Sequence, residues 1–406
     1  MLQGMRQYLK WTGLLPIVVV LSTGVFMQAS QADDPVWVKY NNAGMDALQK
    51  ANYDDAQLFL LASLAQAEKD GADSVQVAGV VSNLALLYKT QGRYAEAEQL
   101  YKHSLEVWEK ALGPNDPQVA KGVNNLAGLY DAQGKCLEAE PLYKRSLTAW
   151  EKELGPDDPN VALSLNNLAE LYRKQGHYAE AEPLYRRSLA IWEKALGPDD
   201  LKVALSLNNQ GLLYHAKGRY AEAEPLYKRS LAIREKALGP VHPDVAATLN
   251  NLAELYRKTG NYAEAESLYK ASLAIWEKAF GPKHPKVAIS LNNLALLYYA
   301  QGKYPEAETG YKTALAILEK ASGPDHPDVA QCLNNLAKLY ATQGNFKEAE
   351  PLYVRSLATY EKALGPNYPK LAECLTNYAD LLRKTNRVAE AEKLEARAKA
   401  IMDKPR

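Results

Sequence analysis

An asparagine stands at the same point of nine successive segments: Asn42, Asn83, Asn125, Asn167, Asn209, Asn251, Asn293, Asn335 and Asn377. Seven of the nine follow a second asparagine. A carboxamide carries two N–H donors and a carbonyl acceptor, so it can pair with any peptide unit whatever its side chain. Two uses fit such a column. One is a hydrogen bond between neighbouring segments that fixes how they stack. The other is a ladder that grips the backbone of an extended peptide. The uses are compatible, and the identity of the residue even in the terminal copies suits stacking.

Other reactive residue types form no catalytic pattern. His242, His284 and His326 each occupy a Gly-Pro-x-His-Pro loop, a full segment apart, too far to share one metal ion. His103, His177 and His215 fall on surface or loop positions. No HExxH, phosphate-binding glycine loop or nucleophile elbow is present. Paired acids such as Glu180 and Glu182 stand where a helix begins, and the helix dipole favours them there. Cys136 takes a slot that is usually Tyr and reads as an apolar filler. Cys332 and Cys374 share one slot in adjacent segments. Equivalent points on packed helices lie about 8–10 Å apart, beyond disulfide reach. The residues thus imply no catalytic centre, no metal site and no cofactor.

The elements that must position the asparagines follow from a 42-residue period. Leu-Asn-Asn-Leu-Ala recurs at Leu165, Leu249, Leu291 and Leu333, Tyr-Ala-Glu-Ala-Glu at Tyr94, Tyr178, Tyr220 and Tyr262, and Gly-Pro from Gly113 to Gly365. Fixed-period self-similarity marks an array whose units bury their apolar faces against neighbours. Within one unit, Val161, Leu165, Leu168 and Tyr172 form a single helical stripe. Asn160 is the expected N-cap, and Gly176 the left-handed end. A second stripe, Ala181, Leu184, Tyr185, Ser188, Leu189 and Trp192, ends at Gly197-Pro198. Pro141, Pro183, Pro225 and Pro351 fall one turn inside the second helix, where each should remove a hydrogen bond and bend the helix start. Pro305 is expected at the first helical position. A short link and no period-2 pattern imply antiparallel pairs.

This spacing resembles the tetratricopeptide repeat, through Leu165, Leu168, Ala169 and Tyr172 in the first helix and Ala181 and Tyr185 in the second. The longer unit, with its Gly-Pro-x-His-Pro loop, is similar to the kinesin light chain type of that repeat. The resemblance implies an all-α, right-handed solenoid of about nine antiparallel helix pairs, with the face opposite the stripe lining a concave groove. No heptad coiled coil is present, which argues against a motor role. On that implied face, one slot reads Gly128, Glu170, Leu212, Glu254, Leu296 and Lys338. The slot three residues on reads Asp131, Arg173, His215, Arg257, Tyr299 and Ala341. Glu170 with Arg173 and Glu254 with Arg257 can pair as i, i+3 neighbours. Alternatively the cations meet acidic groups of a ligand while the apolar slots seat its side chain. The expected peptide-binding set is Asn125, Asn167, Asn209, Asn251, Asn293 and Asn335, with Arg173, Lys174, Leu212, His215, Arg257, Lys258, Leu296 and Tyr299.

Lys plus Arg and Asp plus Glu both number 48, so the net charge is zero. A nucleic-acid partner, which demands a basic field, is not expected. Residues 1–32 carry Arg6 and Lys10 before an apolar run from Leu14 to Phe26, then Ser30-Gln31-Ala32. This pattern reads as a signal peptide cleaved near Ala32, for a periplasmic or secreted protein with no membrane span beyond it. Residues 33–76 then form an N-terminal capping unit, 77–370 seven 42-residue units, and 371–406 a C-terminal cap in which Glu395 replaces an aromatic. The leading expectation is an exported, non-catalytic solenoid, monomeric or weakly self-associating, that binds a protein or extended peptide in its groove. A spacer or assembly scaffold acting through its convex surface or ends is the alternative.

Overall fold

The computed structural model describes residues 34–49, 52–366 and 368–403. The expected signal segment and its cleavage point lie outside the described residues. Among the described residues, eighteen α-helices follow one another in pairs: α1 (Val36–Gln49) with α2 (Tyr53–Lys69), α3 (Ser74–Thr90) with α4 (Tyr94–Leu112), and α5 (Pro117–Ala132) with α6 (Cys136–Leu154). Next come α7 (Pro159–Gln175) with α8 (Tyr178–Leu196), α9 (Leu201–Ala216) with α10 (Tyr220–Leu238), and α11 (Pro243–Lys258) with α12 (Tyr262–Phe280). The last are α13 (Pro285–Ala300) with α14 (Tyr304–Ser322), α15 (Pro327–Thr342) with α16 (Phe346–Leu364), and α17 (Pro369–Lys384) with α18 (Val388–Met402). Each helix packs on its hairpin partner and on the next pair, so the array is an all-α solenoid.

Local chemistry explains the boundaries. The N-cap of α7 is Asp158, not Asn160: the Asn160 N–H donates to Asp158 Oδ1 at 2.7 Å. Pro159 causes the difference, because proline suits the first helical position and moves the cap to the residue before it. His242, His284 and His326 do the same work, each Nδ1 accepting a backbone N–H at 3.1–3.2 Å. Gly176 ends α7 at φ +83°, and Gly197 ends α8 at φ +89°. The second helix runs unbroken through Pro141, Pro183, Pro225 and Pro351. All four prolines are exposed, so the carbonyls they leave unpaired face water. Pro305, expected at the first helical position, is the second residue of α14.

The core repeats with the sequence. Tyr101, Tyr185, Tyr227, Tyr269, Tyr311 and Tyr353 are fully buried in the second helices. A buried large apolar side chain contributes about 1.5–3 kcal/mol. The Trp108, Trp150 and Trp192 indoles donate to the carbonyls of Val75, Pro117 and Pro159 at 3.0–3.1 Å, pinning the end of each second helix to the start of its partner. Arg234 takes the Trp slot of α10 and is buried. Its guanidinium donates to the Asp244 carbonyl and to Thr248 Oγ1, both at 2.8 Å. Small serines permit close helix approach: Ser188, Ser230, Ser272 and Ser356 each donate to a neighbouring-helix carbonyl at 2.7–2.8 Å.

On the convex side, two ion-pair rows cross between neighbouring pairs. In one, Arg145, Arg187, Arg229, Arg355 and Arg397 meet Glu109, Glu151, Glu193, Glu319 and Glu361 at 2.5–2.7 Å. In the other, Lys194, Lys236 and Lys362 meet the loop residues Asp157, Asp199 and Asp325 at 2.5–2.6 Å. The stack also curves back on itself. The Tyr368 ring, at the entrance to α17, lies 3.5 Å from where a Cβ on Gly134 would stand, in the loop between α5 and α6. The superhelix therefore closes one turn between the third and ninth pairs. Burial raises the Tyr368 phenol above its ordinary value, while the Lys174 charge opposes the shift.

Candidate functional site

The asparagines form a double column. The Nδ2 of Asn83, Asn167, Asn209, Asn251, Asn293, Asn335 and Asn377 donates to Oδ1 of Asn41, Asn124, Asn166, Asn208, Asn250, Asn292 and Asn334 in the preceding pair, at 2.8–3.2 Å. The stacking use of the amides is therefore realised. The acceptors are the first asparagines of each doublet, outside the set expected from sequence. The doublet itself was the available signal. Asn125 has no such bond, because Ser82 stands in its acceptor slot. Each ladder amide uses one of its N–H groups on the neighbour. Asn125, Asn167 and Asn251 keep carbonyls with no donor among the described residues.

The two arginines expected to meet a ligand's acids are already paired. Arg173 binds Glu170 through two hydrogen bonds of 2.7 Å, and the Tyr185 hydroxyl donates to the same carboxylate at 2.8 Å. Arg257 binds Glu254 at 2.6 and 2.7 Å, with Tyr269 donating at 2.8 Å. Burial pushes both carboxyls upward, but the arginine bonds and charges outweigh it and hold them below the usual carboxylate range. Lys174 bonds Asp131 at 2.8 Å, across one repeat. Burial lowers the Lys89 ammonium beside that pair, and Asp131 opposes the shift. Burial also lowers His215, whose Nε2 is enclosed without a partner and whose ring meets Tyr220 edge-on at 5.3 Å. Leu212 is half-buried and packs beside Tyr214 and Tyr227, so it is core-facing in part.

An open hollow of about 500 Å³ lies further along the groove. It gathers Asn293, Asn335, Arg257, Lys258, Leu296 and Tyr299 from the expected set. Lys338, Gln331, Asp328, Lys370 and Glu373 also line it, with Glu254, Asn292 and the apolar Ile289, Ala300 and Leu318. Lys338 stands in the same slot as Leu296, which made it findable. Lys370 and Glu373 arrive from the first turn of α17, and no spacing within one repeat marks them. Tyr299 hydrogen-bonds Thr342 at 2.9 Å, and Leu296 packs against Tyr311 and its neighbours, so the hollow has a fixed apolar floor. Asn125, Asn167, Asn209, Asn251, Arg173, Lys174, Leu212 and His215 do not line it. The arrangement offers amides, lysines and one apolar seat, a set suited to holding a chain segment.

Cys332 and Cys374 are free and buried, with thiols pushed up to about 12 by burial. No group of metal-binding side chains occurs among the described residues, and no described helix is long and apolar enough to cross a membrane.

An array of stacked helix hairpins with a ligand-sized concave groove defines the class: an α-solenoid built on repeats that imply protein partners. Residues 38–110, 76–149, 122–194, 164–236, 244–320, 288–362 and 340–404 match the family model of the tetratricopeptide repeat. The chain belongs to the tetratricopeptide repeat family. It is similar to the nearly identical repeats of a putative kinesin light chain from Podosopora anserina, with 30% identity, 50% of this chain and 97% of that one covered, and a TM-score of 0.41. A Rap protein complexed with competence and sporulation factor shares the fold, at 16% identity, TM-score 0.54, and 80% and 98% coverage. So does the signal transduction ATPase PH0952 of Pyrococcus horikoshii, a protein with a tetratricopeptide repeat sensor, at 18% identity, TM-score 0.54, and 87% and 53% coverage. Curated proteins gave no match to the chain.

Proposed function

We propose that this chain is an exported, non-catalytic interaction module that holds an extended segment of a partner protein in its concave groove. The observation that carries the reading is the hollow between α11 and α17. There Lys258 and Lys338 are exposed beside the half-buried Asn293, the buried Asn335, and the apolar Leu296 and Tyr299. Amides bind main chain irrespective of sequence, lysines add charge preference, and one apolar seat supplies an anchor. Arg173, Lys174 and Arg257 are held by acids of the chain itself, so on this reading they shape the wall, and Lys258 and Lys338 supply the charge. A Rap protein of the same fold is complexed with a factor, so this architecture admits a bound ligand.

The test is affinity capture from the exported fraction with the chain and with a Leu296→Asp/Lys338→Glu variant. A partner retained by the parent and lost by the folded variant supports the reading. Equal retention by both removes the groove assignment. Export rests on Arg6, Lys10, the run from Leu14 to Phe26 and the Ser30-Gln31-Ala32 end. N-terminal sequencing of protein recovered outside the cytoplasm is expected to begin near residue 33, and retention of the full chain in the cytoplasm would contradict it.

A further inference from the structure

Both convex ion-pair rows are interrupted together at two junctions in the middle of the array. Where the third, fourth, fifth, eighth and ninth pairs carry an arginine, α12 has Ala271 and α14 has Thr313. In place of Asp157, Asp199 and Asp325 in the loops of the lysine row, these junctions have Val241 and Lys283, and the loop before α5 has Asn115. The glutamates that would have met those arginines, Glu235 and Glu277, are exposed, while their counterparts Glu109, Glu151, Glu193, Glu319 and Glu361 are half-buried under arginine side chains. Lys278 and Lys320 likewise have no acidic partner among the described residues, and Lys283 puts a like charge where Lys320 would find an aspartate. Where the rows are intact their charges pair, and at these two junctions they do not.

The missing arginine also leaves space. An open hollow of about 720 Å³ lies over α14, floored by Ala316, Ile317 and Ala321 and edged by Thr313. The remaining wall is Lys283, Lys312 and Lys320, with no carboxylate in the lining. Lys312 already bonds Glu308 at 2.6 Å. The hollow thus combines an apolar floor with two lysines, Lys283 and Lys320, that have no acidic partner among the described residues, on the face opposite the groove. We propose that this convex hollow is a second docking site, for an acidic segment of a protein partner that sets one apolar side chain on Ile317 and carboxylates on Lys283 and Lys320. Charge complementarity selects the occupant: a basic segment meets Lys283 and Lys320, and an uncharged one leaves both unpaired. The inference does not depend on the concave reading.

The test uses a fluorescent peptide in which Glu alternates with Leu, and a Lys–Leu peptide of the same pattern. The parent chain is expected to bind the acidic peptide saturably, less tightly as salt rises, and to ignore the basic one. Thr313→Arg with Lys283→Asp rebuilds both ion pairs, to Glu277 and Lys320, and closes the hollow without removing a core group. Binding should then weaken roughly tenfold or more, the scale of like-charge juxtaposition at an interface. Lys320→Glu alone should weaken it in the same direction, and Leu296→Asp/Lys338→Glu in the groove should not. Failure of the parent to bind, equal binding by the rebuilt variant, or preference for the basic peptide overturns the proposal. Sedimentation of parent and rebuilt variant covers the remaining occupant: self-association that disappears on rebuilding assigns the hollow to a second copy and also overturns it.

Discussion

The concave groove has two halves built from the same slots: Arg257 of the second is bound by Glu254 as Arg173 of the first is by Glu170, but the second keeps lysines that no acid among the described residues holds. Around the third to fifth pairs, Arg173 and Lys174 are bound by Glu170 and Asp131, and Tyr368 packs nearby from a later turn. Around the sixth to ninth pairs, Lys258 and Lys338 face an open hollow. A cation on this wall is therefore left available only where no acid of the chain reaches it first. Position within the repeat places a side chain on the groove wall, and its neighbours one repeat away decide whether it is available.

The sharpest way to break this comparison is to remove one acid from the closed half. Glu170→Ala leaves Arg173 largely enclosed without a counter-charge and should cost about 2–4 kcal/mol, read from urea unfolding. The matching change in the open half, Lys338→Ala, should stay within about 0.5 kcal/mol. Equal costs would erase the distinction. Between the halves sits Arg234, a buried cation with only neutral hydrogen-bond partners, which burial pushes down from its ordinary value. Arg234→Trp restores the residue of the neighbouring repeats and should stabilise the chain by about 1–3 kcal/mol. A lower unfolding midpoint for that variant would contradict the packing argument.

The asparagine column supplies a finer contrast. Asn251→Ala strands the Asn208 carbonyl and should cost about 1–2 kcal/mol, whereas Asn125→Ala, opposite Ser82, should cost less than about 0.5 kcal/mol. The smallest effect is one of pH. Burial holds His215 and His284 below the ordinary histidine value of 6.5. On acidification the unfolded chain takes up these protons first, so stability is full above about pH 6.5 and falls below it. Loss tied to Glu170 and Glu254, whose pKa values are lowered, begins only below about pH 4.5. Urea midpoints measured across both windows should show two separate declines, and His284→Asp should reduce the upper one.

Much of the architecture was legible because each repeat restates it: nine copies of the Leu165–Tyr172 stripe allow little else than a stack of hairpins. Glu170 with Arg173 and Glu254 with Arg257 were legible as pairs because they are neighbours on one helix turn. Lys174 with Asp131 was not, since the partners lie one repeat apart and meet only after stacking. The amide ladder was half legible, because the doublet reveals two amides per repeat but not which accepts. Asn160 lost the cap to Asp158 through the proline between them. Contact of Tyr368 with the Gly134 loop was invisible, because it sums a small rotation at every junction. Lys370 and Glu373 join the hollow for the same reason.

That contact has a mechanical meaning. A coil with separated turns lengthens smoothly when pulled, since every junction yields a little. Here the Tyr368 ring rests on the Gly134 loop, so the first extension must peel one turn from the next. Drawn from its two ends, the molecule should resist up to a threshold and then give, and replacing Tyr368 by Ala should turn that step into a gradual slope.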